Sequence, residues 1–501
     1  MSGDDELGQG AFDRARARLA LAVGPALFLL VWFAPLPLEG AAHPVEAQRL
    51  AAIMVLVVTF WVGEPVPVAV TALLGPTLAL VLGAIPGVAG KDAARVAFAQ
   101  LGNPILLLFI GGFFIAEAMT VHGLDRRFAM NVLALRAFGA STRRMVIGLG
   151  VCAWALSMWV NNTATTALLI PIAGGMLSVA AGGGAPSRGL EAPCMLMIAF
   201  AATVGGLATP VGTAPNLIGL SQLEQLAGAR VPFVHWMALT LPLTVAMMIC
   251  LAVLLTRGLP PSAVDLRAHA VAERARLGPW RRGEVVTAVA FGLAVGLWMA
   301  SGLVQLRPES AVAVWFQDRL PEGAIAIVAS SLLFLIPAAP GRPTLTWREA
   351  ARIDWGTLLL LGGGLALGDL MRRTGLVDVV GVGVVRSLGI ESLWVLTFVA
   401  ALMASGLSEL ISNTATATIL LPVVIEVARQ AGVDPLPPAI AATCGCSFGF
   451  MLPVSTPPNA LVYGTGRIPI SFMIKRGFMF DVAGAFIIVV GLRLLWPLFG
   501  R

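Results

Sequence analysis

Apolar runs about as long as a bilayer is thick recur along the whole chain, separated by short polar segments rich in arginine. A helix rising 1.5 Å per residue needs about 20 apolar residues to cross the hydrocarbon. The pattern predicts crossings near 18–37, 49–63, 67–85, 103–120, 192–208, 232–256, 284–304, 322–338, 355–371 and 470–498. Two further apolar regions, 145–181 and 392–428, are interrupted at their centres by polar residues. The first holds WVNNTATTALLIP, Trp159 to Pro171, and the second ELISNTATATILLP, Glu409 to Pro422.

These interruptions are copies of one another. A shift of 251 residues carries Ser157 onto Ser408, Asn162 onto Asn413, Thr163 onto Thr414 and Pro171 onto Pro422. The same shift carries Gly111 and Gly112 onto Gly362 and Gly363. After each copy comes a second motif, ATPVGTAPN (Ala208–Asn216) and MLPVSTPPN (Met451–Asn459), now matched at a shift of 243. The chain is therefore a duplication, with the order glycine pair, Asn-Thr break, Thr-x-Pro-Asn break in each half.

Composition fixes the class. Of 501 residues, 58% are hydrophobic and 12% charged, far from the balance of a soluble domain. The net charge of +6 does not indicate a nucleic-acid partner, because the arginines lie in short clusters between apolar runs, where they set topology. Placing the five strongest clusters (Arg14–Arg18, Arg126–Arg144, Arg257–Arg282, Arg342–Arg352 and Arg467–Arg476) in the cytoplasm works only if 145–181 and 392–428 each enter and leave on one side. The expected fold is an all-α polytopic membrane protein of about eleven transmembrane helices plus two re-entrant hairpins, arranged as inverted-topology repeats. The N-terminus is then cytoplasmic and the C-terminus external. RRFAMNVLALRAFG suits an interfacial helix over about 124–138, with His122 and Asp125 solvated beside it. The five cysteines read as small core residues, and the four scattered histidines have no ligand spacing.

The breaks carry the chemistry. Non-helical backbone survives at membrane depth only where protein covers it or a wet site lies beside it. Ser157, Asn161 and Asn162 cluster at the first break, and Ser408, Ser412 and Asn413 at the second. Hydroxyl and amide oxygens without a carboxylate among them suit a monovalent cation such as Na⁺ better than Ca²⁺ or Mg²⁺. Helices starting at about Thr163 and Thr414 present free N–H groups that favour an anion, and Thr213–Asn216 and Thr456–Asn459 repeat that arrangement. Four such ends suit a substrate with two negative ends. No Lys or Arg falls within any break, so bound cations must help offset substrate charge. Glu409 is the one carboxylate near a break; an exposed or hydrogen-bonded place at the hairpin wall is its simplest reading, with a proton-coupling role as the alternative. The glycine pairs read as close helix packing, and Glu64 as a turn residue.

From WVGEPVPVAVTALLGP (61–76) through both Asn-Thr motifs to LPVSTPPNALVYGTG (452–466), the chain resembles the divalent anion/sodium symporter family of di- and tricarboxylate and sulfate transporters. The resemblance implies an elevator-type ion-transporter fold working as a homodimer in the cell (inner) membrane. Each protomer would have a scaffold (1–142 and 284–390), a transport domain (143–256 and 391–501) and a cytoplasmic loop at 257–283. Within the transport domain lie the hairpins 145–181 and 392–428 and the broken helices 192–225 and 436–465. It implies one Na⁺ site at Ser157, Asn161, Asn162 and the Gly212 carbonyl, and a second at Ser408, Asn413 and the carbonyls of Ile411 and Ser455. Substrate carboxylates would meet Asn162, Thr163 and Thr213 on one side, and Asn413, Thr414, Thr456 and Pro457 on the other. This chain has Asn161 where the family motif has serine, and Ala214 where proline is common. The expected activity is sodium-coupled import of small dicarboxylates of the succinate, malate or fumarate type. A dicarboxylate exchanger, a sulfate or tricarboxylate carrier, and an anion channel are the alternatives. An enzyme is not expected, since the breaks hold no His, Cys, Asp or Lys.

Overall fold

The computed structural model describes residues 3–139, 141–181, 188–259, 266–305, 309–388 and 392–499. These residues are almost entirely helical, with one small antiparallel ribbon pairing Pro337–Ala339 with Arg342–Pro343. Eight described helices are long and apolar enough to cross a membrane, and four shorter apolar ones accompany them: Val68–Val81, Glu322–Leu335, Leu376–Val385 and Leu393–Ser408. Large apolar side chains such as Ile249, Val289 and Leu494 stay exposed on the outer faces of spans, as a surface solvated by lipid requires.

Both interrupted regions form helical hairpins. In the first, helix Thr142–Ser157 ends, the chain turns through residues 158–161, and helix Asn162–Ala180 begins. In the second, Leu393–Ser408 gives way to Asn413–Gln430. The turn residues Asn161 and Ser412 each cap the helix that follows, their side-chain oxygens accepting from Ala164 N at 2.9 Å and Ala415 N at 3.3 Å. A short polar side chain at this position satisfies an N–H that the helix cannot. The helices that follow are broken as the Pro motifs predict: Arg188–Leu207 resumes as Ala214–Ala227, and Leu436–Gly445 as Pro457–Gly464. Proline sits in the first turn of each resumed helix, where its missing N–H does no harm.

The two halves exchange contacts reciprocally. Ala214–Ala227 packs on the Asn413–Gln430 arm of the second hairpin, and Pro457–Gly464 packs on the Asn162–Ala180 arm of the first. Likewise Pro104–His122 packs on Glu322–Leu335, and its counterpart Trp355–Thr374 on Val68–Val81. Such cross-packing is what a pseudo-two-fold relation between the repeats produces. The glycines make the scaffold crossings close: a Cβ on Gly111 would lie 2.5 Å from the Ala326 carbonyl carbon, and one on Gly363 2.1 Å from the Ala72 oxygen. Glu64 takes a left-handed φ of 48° as the C-cap of Pro44–Gly63, in keeping with a turn residue. The cysteines are free, and all but Cys250 are buried.

Around the first hairpin the structure corrects three expectations. The interfacial helix runs only over Leu124–Leu133 before a separate turn at Arg136–Gly139. Asp125 is buried rather than solvated, accepting from Arg126 N at 2.6 Å, and His122 is tied through Nε2 to the Thr344 oxygen at 2.7 Å. The cause is Arg127, which turns inward to make two bonds to Glu284, at 2.9 and 3.1 Å, and docks the helix against the start of Arg282–Val304. The expected boundary at 390/391 lies outside the described residues.

Candidate functional site

The hydrogen-bonding of the breaks explains how non-helical chain persists there. In the first half, buried Asn216 donates through Nδ2 to the Gly206 oxygen at 2.9 Å and the Thr209 oxygen at 2.8 Å. Trp236 donates to the Leu207 oxygen at 3.0 Å and Thr240 to the Ala208 oxygen at 3.2 Å, while Thr209 ties the hairpin tip down through the Met158 oxygen. In the second half, Asn459 braces the oxygens of Gly449 and Leu452 at 2.6 and 3.1 Å. Glu409 is buried, not exposed, and accepts from Met451 N, Leu452 N and the Ser455 hydroxyl, so of the two places the sequence left open it takes the hydrogen-bonded one and braces the break from the hairpin side. Each bond removes an unpaired backbone group that would cost several kcal/mol in hydrocarbon.

Against that background, the groups left over stand out. Among the described residues several break carbonyls accept no hydrogen bond, those of Val211, Leu410 and Val454 included, and the three implied as cation ligands, of Gly212, Ile411 and Ser455, belong to this set. Ser157 Oγ lies 2.6 Å from Asn162 Oδ1, and Ser408 Oγ lies 2.6 Å from Asn413 Oδ1. Gly206 leaves a cradle beside the first pair, where a Cβ would sit 2.7 Å from Asn162 Oδ1 and 3.2 Å from the Gly212 oxygen. Its counterpart Gly449 meets other atoms: a Cβ there would lie 3.1 Å from Ser455 Cβ, 3.3 Å from Thr456 Cγ2 and 3.4 Å from the Ser408 backbone oxygen. Neutral oxygens around a small gap fit Na⁺. Hydroxyls that merely stabilise helices behave differently: Thr166, Thr416 and Thr418 bond back to the i−4 carbonyls. The Thr163, Thr213 and Thr414 hydroxyls have no protein partner among the described residues.

These free groups meet in one cavity of about 230 Å³. It is lined by Asn161–Thr163 and Ser412–Thr414 from the hairpin tips, and by Val211–Pro215 and Ser455–Pro458 from the broken helices. All seven residues expected at the substrate line it, as do Asn161, Gly212 and Ser455 among the expected cation ligands. Ser157 and Ser408 are buried behind Asn162 and Asn413, and Ile411 is also buried and off the wall. No Lys or Arg is among the lining residues.

Sequence reasoning missed the opposite wall. Phe109 and Phe113 come from Pro104–His122, and Asp354 and Thr357 from the start of Trp355–Thr374. The phenylalanines carry no signal in an apolar span, whereas Asp354 followed by Thr357 is legible as a helix cap. Its carboxylate accepts from Thr357 N at 3.0 Å and from the Thr357 hydroxyl at 2.5 Å. The bracing role of Asn216 and Asn459 was likewise unassigned, although both stood out as repeated residues.

Residues 16–500 match the family model described as the sodium:sulfate symporter transmembrane region. The chain belongs to that family. Its relatives include the sodium-dependent dicarboxylate transporter SdcS of Staphylococcus saprophyticus, 33% identical over 96% of this chain and 91% of that protein. SdcS of Staphylococcus aureus strain RF122 is 34% identical over the same shares. Two solved structures have a similar fold: the Alcanivorax borkumensis YdaH transporter, with a TM-score of 0.54 at 16% identity over 97% of this chain and 98% of that one, and Neisseria gonorrhoeae MtrF, with 0.55 at 13% identity over 88% and 97%. At such identities the likeness concerns the fold alone.

Proposed function

We propose that this family member imports small dicarboxylates, of the succinate, malate or fumarate type, together with Na⁺. The observation that carries this reading is the convergence of both Asn-Thr hairpin tips and both Thr-x-Pro-Asn breaks on one small cavity without a basic residue. One carboxylate would take Asn162, Thr163 and Thr213; the other would take Asn413, Thr414, Thr456 and Pro457. The positive ends of two helices and their hydroxyls hold each carboxylate, and Na⁺ just behind each asparagine supplies the remaining charge. Those ions would sit at Ser157, Asn161, Asn162 and Gly212, and at Ser408, Ile411, Asn413 and Ser455. Because Asn162 and Asn413 serve ion and substrate alike, each binds better with the other present.

The volume favours a small substrate, being below the 300–1,000 Å³ typical of drug-sized ligands. Two separated anion ends favour a dicarboxylate over sulfate. In this reading the hairpins and broken helices (143–256 and 391–501) move as one body past the scaffold (1–142 and 284–390), which contributes the Phe109, Phe113 and Asp354 wall and the interface of a homodimer. Uptake of labelled succinate by proteoliposomes should require an inward Na⁺ gradient and saturate. Uptake driven equally well by internal dicarboxylate without Na⁺ would instead establish exchange, and an unsaturable current would establish a channel.

A further inference from the structure

Two places that the duplication makes equivalent are built differently. Gly123 and Gly375 end the helices Pro104–His122 and Trp355–Thr374 with the same left-handed turn, and the helix that follows is Leu124–Leu133 in the first half and Leu376–Leu388 in the second. In the second half this helix packs directly on the hairpin arm Asn413–Gln430. The buried side chain of Glu426 fills the crossing, since a Cβ on Gly381 would lie 2.8 Å from Glu426 Cγ. In the first half the shift of 251 residues puts Gly175 where Glu426 stands, and Leu124–Leu133 has no comparable packing on Asn162–Ala180.

A cavity of about 430 Å³ opens there, larger than the one of about 230 Å³ at the breaks. Met130 and Leu133 line it from the short helix, Leu168, Ile172 and Met176 from the hairpin arm, and Ala270 from Leu266–Arg276, the helix that packs on both. The only polar side chains on its wall are Arg126 and Glu273, an ion pair at 3.4 Å. Arg126 is exposed, and Glu273 also pairs with Arg276, so two guanidinium groups share one carboxylate and the rim carries a net positive charge. The clusters Arg126–Arg144 and Arg257–Arg282 flank this end of the cavity, and the positive-inside rule brings it to the cytoplasmic headgroup level. Basic pockets between helices at that level hold the headgroups of anionic lipids.

We propose that this cavity is a binding site for one anionic phospholipid of the cytoplasmic leaflet, with an acyl chain in the slot between Leu124–Leu133 and the first hairpin and the phosphate at Arg126. Walls without a partner forfeit the contacts that packing supplies elsewhere. A hydrocarbon chain restores them, each buried methylene strengthening binding by about fourfold, whereas a water-soluble anion gains nothing from such walls. The lipid takes the place that Glu426 takes in the second half and joins the hairpin to the scaffold helix. The inference goes beyond the transport reading and does not depend on which anion is carried.

Native mass spectrometry of the full chain in detergent, titrated with phosphatidylglycerol or with phosphatidylcholine of the same acyl chains, tests it. Gly175→Leu fills the slot from the hairpin arm and improves helix propensity. Arg126→Gln removes the charge at the cost of one exposed ion pair, a small loss. Wild-type protein is expected to retain one phosphatidylglycerol, and to bind phosphatidylcholine about fivefold less tightly, the worth of one basic residue beside an anionic lipid. Arg126→Gln should bind the two lipids alike, and Gly175→Leu should bind phosphatidylglycerol at least tenfold more weakly with no fall in melting temperature. Wild-type affinity for phosphatidylglycerol in Gly175→Leu, equal affinities for the two lipids in wild type, or palmitate binding as tightly as phosphatidylglycerol overturns the proposal. If Gly175→Leu does not fold, the two-lipid comparison in Arg126→Gln decides: a preference for phosphatidylglycerol as large as that of wild type overturns it.

Discussion

Gly206→Ala tests the first cation site with one methyl group. The new Cβ would lie 2.7 Å from Asn162 Oδ1, inside the 3.0 Å that such carbons essentially never breach, and 3.2 Å from the Gly212 oxygen. Gly206 is the better choice over its counterpart, because Gly449 has φ +153° and a side chain there adds backbone strain. Something must give, and the freest group is the Asn162 side chain, whose movement breaks its contact with Ser157 at 2.6 Å. A ligand oxygen lost to a charged partner is worth about 1.5–3 kcal/mol, or roughly ten- to hundredfold in affinity. Half-saturation by Na⁺ in succinate uptake should therefore rise about tenfold or more, and the rise in melting temperature expected on adding Na⁺ alone to wild-type protein should be lost. Gly174→Ala is the control, since nothing lies within 4 Å of its added Cβ. A folded Gly206→Ala protein with wild-type Na⁺ dependence would refute the placement of this site.

Three other outcomes follow from the geometry. Thr414→Ala removes a hydroxyl that faces the cavity without a protein partner, and should raise succinate KM several-fold with little change in Na⁺ half-saturation, whereas Ser408→Ala, removing a bond to Asn413 at 2.6 Å, should do the reverse; equal effects on both would show the ligands to be mis-sorted. Asn216→Leu strips the donor from two buried carbonyls, costing about 1–3 kcal/mol for each, so a fall in melting temperature and yield is expected on thermal denaturation in detergent. Arg127→Met takes the ion-pair partner from buried Glu284, which keeps only the Arg281 N–H, and frees the carbonyls of Leu277, Gly278 and Pro279, so it should destabilise by about 3–5 kcal/mol; the double variant Arg127→Met with Glu284→Leu should recover the part due to the unpaired charge, and no recovery at all would mean that the lost hydrogen bonds and packing matter more than the charge.

Much of the site was legible because the duplication repeats it. Asn162, Thr163, Asn413 and Thr414 are polar in apolar surroundings, and polar groups at that depth are kept only where they have work or partners. Both hairpins and both broken helices fall where the motifs interrupt the apolar runs. His122 and Asp125 were misread as solvated because local pattern cannot reveal a partner distant in sequence, here Thr344 for His122 and, through Arg127, Glu284. Glu409 gave half its answer: a hydrogen-bonded place was readable, but its partners Met451, Leu452 and Ser455 lie more than forty residues away.

By itself the sequence determined that this is an all-helical membrane protein, duplicated, with four polar breaks in its apolar runs, since apolar length and helix-breaking residues act locally. Only the tertiary structure decided that the four breaks share one cavity, that Phe109, Phe113, Asp354 and Thr357 face it, and that an apolar cavity opens between Leu124–Leu133 and the first hairpin. Those are matters of distance between segments, and distance is set by how helices pack rather than by what any one of them contains.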